Sequence, residues 1–138
     1  MFSHIILVND FRCRSTGLAN AIPVSMLYQK RQLIAFASIT ETNIPFVRNG
    51  GLHILPGLIS LSFPGADGEA ILHRMDLLGI CISTGSACNS KDTEISHVLK
   101  AINLDEEYAK GTIRVSLGKY NTAEDVEKIV RGLEKILG

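Results

Sequence analysis

Residues 58–70 read Leu58-Ile59-Ser60-Leu61-Ser62-Phe63-Pro64-Gly65-Ala66-Asp67-Gly68-Glu69-Ala70, and the rest of the chain is read outward from them. Leu58 to Phe63 is apolar and partly alternating, which suits a strand, and Pro64-Gly65 turns the chain. Asp67 is placed to cap a helix, with Glu69 favourable in its positively polarised first turn. Ile71, Leu72, Met75 and Leu78 make an apolar stripe at helical spacing that stops at Gly79. Ile80 to Ile82 reads as a second short strand. Within it, Cys81 is expected to be a small buried hydrophobe.

Further along, Ile95, Val98, Leu99 and Ile102 have helical spacing, and Asp105-Glu106-Glu107 opens a short turn or helix. Thr112 to Leu117 alternates as a strand. Thr122 with Asp125 makes a capping-box-like start to a last helix, whose single apolar face is Val126, Ile129, Val130, Leu133, Ile136 and Leu137. The order strand, helix, strand, loop, helix, strand, helix predicts an α+β fold: a small, mostly antiparallel sheet with helices packed on one face.

Residues 1–50 form a leading segment with a different composition, and 51–138 form the domain proper. The first part carries Arg12, Arg14, Lys30, Arg31 and Arg48 against Asp10 and Glu41, while acidic side chains outnumber basic ones in the remainder. Phe2 to Val8 and Leu33 to Ile39 are candidate strands, and Ile22 to Tyr28 reads as a short helix or strand. Their apolar runs are costly to leave in water, so a packed role is expected. With 138 residues, 46% hydrophobic and 20% charged, the chain suits one core. A net charge of zero gives no basic field for nucleic acid. No apolar run is long enough for a membrane span and no secretory leader is evident. Cys13, Cys81 and Cys88 are odd in number and lack Cys-x-x-Cys spacing, which fits a reducing cytoplasm better than a disulfide framework or a zinc site.

The octet Ser83-Thr84-Gly85-Ser86-Ala87-Cys88-Asn89-Ser90 reads as a loop that presents a thiol. Ser86, Ala87, Asn89 and Ser90 surround Cys88 with little bulk or apolar surface. A free thiol with a pKa of about 8.5 is only slightly ionised at neutral pH without a nearby cation or helix N-terminus. His97, Lys91 and the start of the following helix are candidate helpers, although a histidine there also suits an ordinary half-exposed helical face. His53 and His73 have no ligand spacing and read as structural.

Taken in order, the segment 58–70, then Cys88, then Ser96-His97-Val98-Leu99-Lys100-Ala101-Ile102, then Ile113-Arg114-Val115-Ser116-Leu117-Gly118 resembles the C-terminal, small domain of the NifS/IscS-like cysteine desulfurases, of the class V aminotransferase family. The resemblance covers residues 52 to 138. It implies that Cys88 is the nucleophile that accepts and carries sulfur as a persulfide, and that Arg114 binds the substrate carboxylate, a task suited to a planar two-pronged donor. An ordinary surface ion pair is the plainer role for Arg114. Ile44 to Gly50 is faintly similar to the linker that leads into that domain.

In such enzymes pyridoxal phosphate is held by a lysine that follows a histidine, and none of Lys30, Lys91, Lys100, Lys110, Lys119, Lys128 or Lys135 does so here. No cofactor is therefore expected on this chain, and pyridoxal phosphate is expected only on a partner domain, needed in trans to convert L-cysteine to alanine. A sulfur acceptor, such as an iron–sulfur scaffold or a tRNA-thiolating enzyme, and a second copy of the chain are further candidate partners. The alternative is a non-catalytic remnant or truncated copy that serves as a dimerisation or docking domain.

Overall fold

The computed structural model describes residues 24–51, 55–85 and 95–138. A long helix, α1 (Val24–Glu41), leads into a short edge strand, β1 (Val47–Arg48), and then β2 (Leu58–Ser62). The chain continues through α2 (Gly68–Leu77), β3 (Ser83–Thr84), α3 (His97–Ala101), α4 (Glu106–Lys110), β4 (Thr112–Ser116) and α5 (Ala123–Leu137). The strands lie in the order β1-β2-β4-β3, and every neighbouring pair is antiparallel. The fold is α+β, with the helices against one face of the sheet.

Alternation in the two longest strands creates that one-sidedness. Ile59 lies opposite Val115 and Leu61 opposite Ile113, and all four are buried. Their neighbours Ser60, Ser62, Thr112 and Arg114 fall on the other face, because side chains along a strand point alternately to its two sides. Phe63, Ile71, Met75, Val126, Ile129 and Leu133 complete the core. Each such side chain contributes about 1.5–3 kcal/mol of transfer free energy before conformational entropy is set against it.

The helix boundaries follow local chemistry. The Asp67 carboxylate accepts the Glu69 N–H at 2.9 Å, opening α2. At the start of α5, Asp125 N–H donates to the Thr122 hydroxyl at 3.3 Å, and Thr122 N–H donates to the Asp125 carboxylate at 2.9 Å. The buried face of α5 is Val126, Ile129, Val130, Gly132 and Leu133. Partial burial on its own would raise the Asp125 carboxyl. The Thr122 backbone, the Asn121 and Thr122 side chains and the charge of Lys128 outweigh it and hold the group below its usual 3.8.

Several expectations are corrected. Leu33 to Ile39 is not a strand but the middle of α1, because the segment buries Gln32, Ala35 and Ile39 at helical spacing and leaves Leu33 68% exposed. A short apolar run reads equally well in either form, and tertiary contacts decide: Gln32 Nε2 donates to the Leu58 carbonyl at 2.5 Å, and Arg31 donates to the Gly118 carbonyl at 3.0 Å. Ile22 to Tyr28 is helical from Val24 onward, and Phe2 to Val8 lies outside the described residues. Leu78 leaves the α2 stripe because the helix ends at Leu77 and the chain turns at Leu78-Gly79. Val98 and Ile102 are also exposed, since α3 is only five residues long and buries Leu99 alone.

The second short strand is Ser83–Thr84 rather than Ile80 to Ile82. Ile80 and Ile82 are buried as the pattern required, but Cys81 is exposed. With isoleucines turned to the core on either side, an extended chain must point the residue between them the other way.

Residues 24–50 share this core. α1 packs on α5, Ala35, Ile39 and Ile44 are buried, and Arg48 lies over the Phe36 ring at 5.1 Å.

Gly111 is required where α4 meets β4, because a Cβ there would overlap the Phe63 carbonyl oxygen, whose own N–H bonds back to the Gly111 carbonyl at 3.1 Å. Gly111→Ala should cost about 3 kcal/mol of unfolding free energy, while Gly51→Ala, which meets nothing within 4 Å, should be near neutral; urea denaturation of both variants checks this. The capping box gives a second expectation. Thr122→Ala should cost about 1 kcal/mol at neutral pH. Because the folded Asp125 carboxyl sits below its unfolded value of 3.8, its contribution is complete above that pH and is lost as pH falls through the folded value. The stability gap between the protein and Asp125→Asn should therefore be seen at pH 7 and shrink on acidification through the carboxylate range.

Candidate functional site

The face of the sheet opposite the core carries Val47 and Leu58 at its margins but is otherwise polar and, among the described strand residues, free of acid. Its inner positions are Ser60 and Ser62 on β2, Thr112, Arg114 and Ser116 on β4, and Ser83 on β3. Arg114 lies between two serines, directly opposite Ser60 on one side and Ser83 on the other. Its side chain is exposed and makes no ion pair or hydrogen bond with the described residues. A guanidinium held on a central strand with no carboxylate paired to it among the described residues is arranged to receive an anion.

One end of this face is closed. Ser62 and Thr112 are 0% and 2% exposed, and their hydroxyls are 2.7 Å apart. Thr112 donates to the Tyr108 carbonyl at 3.1 Å, at the end of α4. Asn49, just past β1, donates its amide to Ser62 Oγ at 2.7 Å and to Ser60 Oγ at 3.2 Å. Asn49 Oδ1 is buried and has no partner. Such an orphaned acceptor costs about 1–3 kcal/mol.

Thr112 also fixes one end of the cysteine-bearing segment. Gly85 N–H donates to the Thr112 carbonyl at 3.0 Å, and a side chain at position 85 would press on Leu99 and Thr112. On the far side, Ser96 caps α3 by accepting the Val98 N–H at 3.3 Å. A cavity of about 240 Å³ lies between these two ends, lined by Thr84, Gly85, Ile95, Ser96, Lys110 and Thr112 among others. Cys88, with Ser86, Ala87, Asn89, Ser90 and Lys91, lies outside the described residues. His97 is the first residue of α3 and is exposed, next to the cap that follows the segment.

Arg114 and His97 were named from sequence. Asn49, Ser60 and Ser83 were not singled out as site residues. The alternation in Leu58–Ser62 already placed Ser60 on the face away from the core. Nothing local marks Asn49, whose partners lie 11 and 13 residues away.

The described residues do not fit a seat for pyridoxal phosphate. Lys30, Lys100, Lys110, Lys119, Lys128 and Lys135 are all exposed, and Lys110 and Lys128 are paired with Glu106 and Asp125. None offers a sheltered amine beside an acid that could tune a pyridine ring. Among the described residues no helix is long and apolar enough to cross a membrane.

Residues 19–129 match the family described as aminotransferase class-V. The chain is similar to the cysteine desulfurase IscS of Dictyoglomus turgidum, 38% identical over 133 residues that make up 88% of this chain and 33% of that protein. It is also similar to IscS of Clostridium botulinum, 43% identical over 101 residues, 70% of this chain and 25% of that protein. Among solved structures, a NifS-like protein from Rickettsia africae superposes with a TM-score of 0.69 at 28% identity, covering 81% of this chain and 28% of the other. A second NifS-like protein gives 0.67 at 30% identity, covering 82% and 28%. The chain thus spans no more than about a third of the curated relatives it matches. With its antiparallel sheet and its helices on one face, the chain belongs to the class-V aminotransferase family as a domain homologous to part of the NifS/IscS-type cysteine desulfurases.

Proposed function

We propose that this chain is a sulfur-relay domain in which Cys88 accepts and carries sulfur as a persulfide. Its place in desulfuration is beside a pyridoxal-phosphate-bearing domain in trans, from which L-cysteine departs as alanine. The observation that supports the reading is Arg114, a guanidinium that pairs with no described residue, on a face free of acid among the described strand residues and next to β3, which leads toward the segment that bears Cys88. It suits the carboxylate of an amino acid. In sequence Ser86, Ala87, Asn89 and Ser90 offer little bulk to bury the sulfur, and His97 is the candidate stabiliser of its thiolate.

Sulfur transfer from a persulfide donor balances without an oxidant. The Cys88 thiolate attacks the outer sulfur of the donor, a new S–S bond forms on Cys88, and the old S–S bond breaks with its electron pair leaving on the donor thiolate. A reducing compartment such as the cytoplasm keeps the acceptor thiol available.

Incubation with a full-length cysteine desulfurase and L-cysteine, followed by intact mass, tests this. A reductant-sensitive gain of one sulfur is expected, lost in Cys88→Ala and kept in Cys81→Ala. No gain under conditions that load another acceptor would instead favour a docking or dimerisation role. Where a partner domain restores desulfuration, Arg114→Lys should raise KM for L-cysteine by about tenfold or more, because an ammonium cannot replace the two parallel N–H donors.

A further inference from the structure

We propose that Ser60 and Ser83 are two further donors of the carboxylate site built round Arg114, and that Asn49 is the positioning residue that keeps the Ser60 proton available. This rests on the reading of Arg114 as a carboxylate-binding residue. Ser60 and Ser83 are its direct cross-strand neighbours on the same face, and side chains so placed have Cβ atoms about 4.5–5.5 Å apart. Both are half-buried, so the backbone holds each hydroxyl beside the arginine stem while solvent still reaches it. A carboxylate only accepts hydrogen bonds, and two hydroxyls flanking a guanidinium supply the complementary donors.

The hydrogen-bond direction is set from the far end. The Tyr108 carbonyl can only accept, so Thr112 donates to it. The Thr112 proton being committed, Ser62 donates to Thr112, and Ser62 Oγ in turn accepts from the Asn49 amide. That turns the nitrogen of Asn49, not its oxygen, toward the serines, and its second hydrogen reaches Ser60 Oγ. Ser60 is thereby an acceptor toward Asn49, and its own proton has no partner among the described residues. The unpartnered Asn49 Oδ1 is the cost of this direction. With the amide reversed, its oxygen would draw the Ser60 proton inward and away from any anion at Arg114.

The test follows the Arg114 Nε–H signal of the 15N-labelled chain by NMR as L-alanine is added, with ethylamine, which lacks a carboxylate, as control. A saturating shift with L-alanine alone is expected, and Arg114→Lys, followed at the backbone amides of Ser60 and Ser83 instead, should abolish tight binding. Ser60→Ala and Ser83→Ala should each weaken binding about tenfold, with Ser60→Thr restoring it. Asn49→Asp, whose ionised carboxylate only accepts, should weaken binding at neutral pH and recover as the acid protonates, whereas the affinity of the unmodified chain should stay level over the same range. A merely structural role for Asn49 would make the loss and recovery of binding follow the variant's own unfolding, so binding is compared only at pH values where thermal melting shows the Asn49→Asp variant to be folded. Serine variants that bind like the unmodified chain while Arg114→Lys fails would overturn the serine and asparagine roles and leave the arginine reading intact. No Arg114 response to L-alanine would overturn both.

Discussion

The pairing of β2 with β4 is the constraint on which the other features depend. Five consecutive pairs run from Leu58 opposite Ser116 to Ser62 opposite Thr112. In this register Ile59, Leu61, Ile113 and Val115 meet on one side as core, and Ser60, Ser62, Thr112 and Arg114 meet on the other as a polar face. A slip of one residue in either strand would move its core-facing isoleucine and leucine or valine into water and its serines or arginine into the core, so burial selects the register that builds the candidate site. Core and site are two faces of a single hydrogen-bonded ladder.

Thr112 couples that ladder to the segment carrying Cys88. Its side chain joins the buried line from Asn49 to Tyr108, and its carbonyl holds Gly85, the last described residue before the segment. The same short strand that supplies Ser83 beside Arg114 therefore anchors the approach to the cysteine. Strand pairing thus sets the start of the segment relative to the arginine, independently of the side chains between Gly85 and Ile95.

Residues 24–50 bring α1 onto α5 and β1 onto the free edge of β2. Covering that edge removes unpaired backbone groups that would otherwise invite another strand. It also delivers Asn49 to the serines of β2, with Asn49 N–H donating to the Ser60 carbonyl at 3.0 Å. This leading part, weakly patterned in sequence, both completes the core and orients the polar face.

The sequence by itself determined the elements whose signals are local: the strand at Leu58, the Asp67 cap, the alternation through Thr112 to Leu117, and the Thr122–Asp125 box with its apolar face. Each depends on neighbours within a few residues, so periodicity and capping chemistry suffice. It also singled out Arg114, through the place it takes in a family-like motif. Only the tertiary structure decided that Leu33 to Ile39 is helical, that Cys81 faces outward, and that Ser60 and Ser83 flank Arg114 with Asn49 bonded to Ser60. In the first case an apolar run has no preference until Gln32 and Arg31 find carbonyls more than twenty residues away. In the others the outcome rests on which strands pair and in what register, a free-energy balance settled by the whole core rather than by any window of the chain.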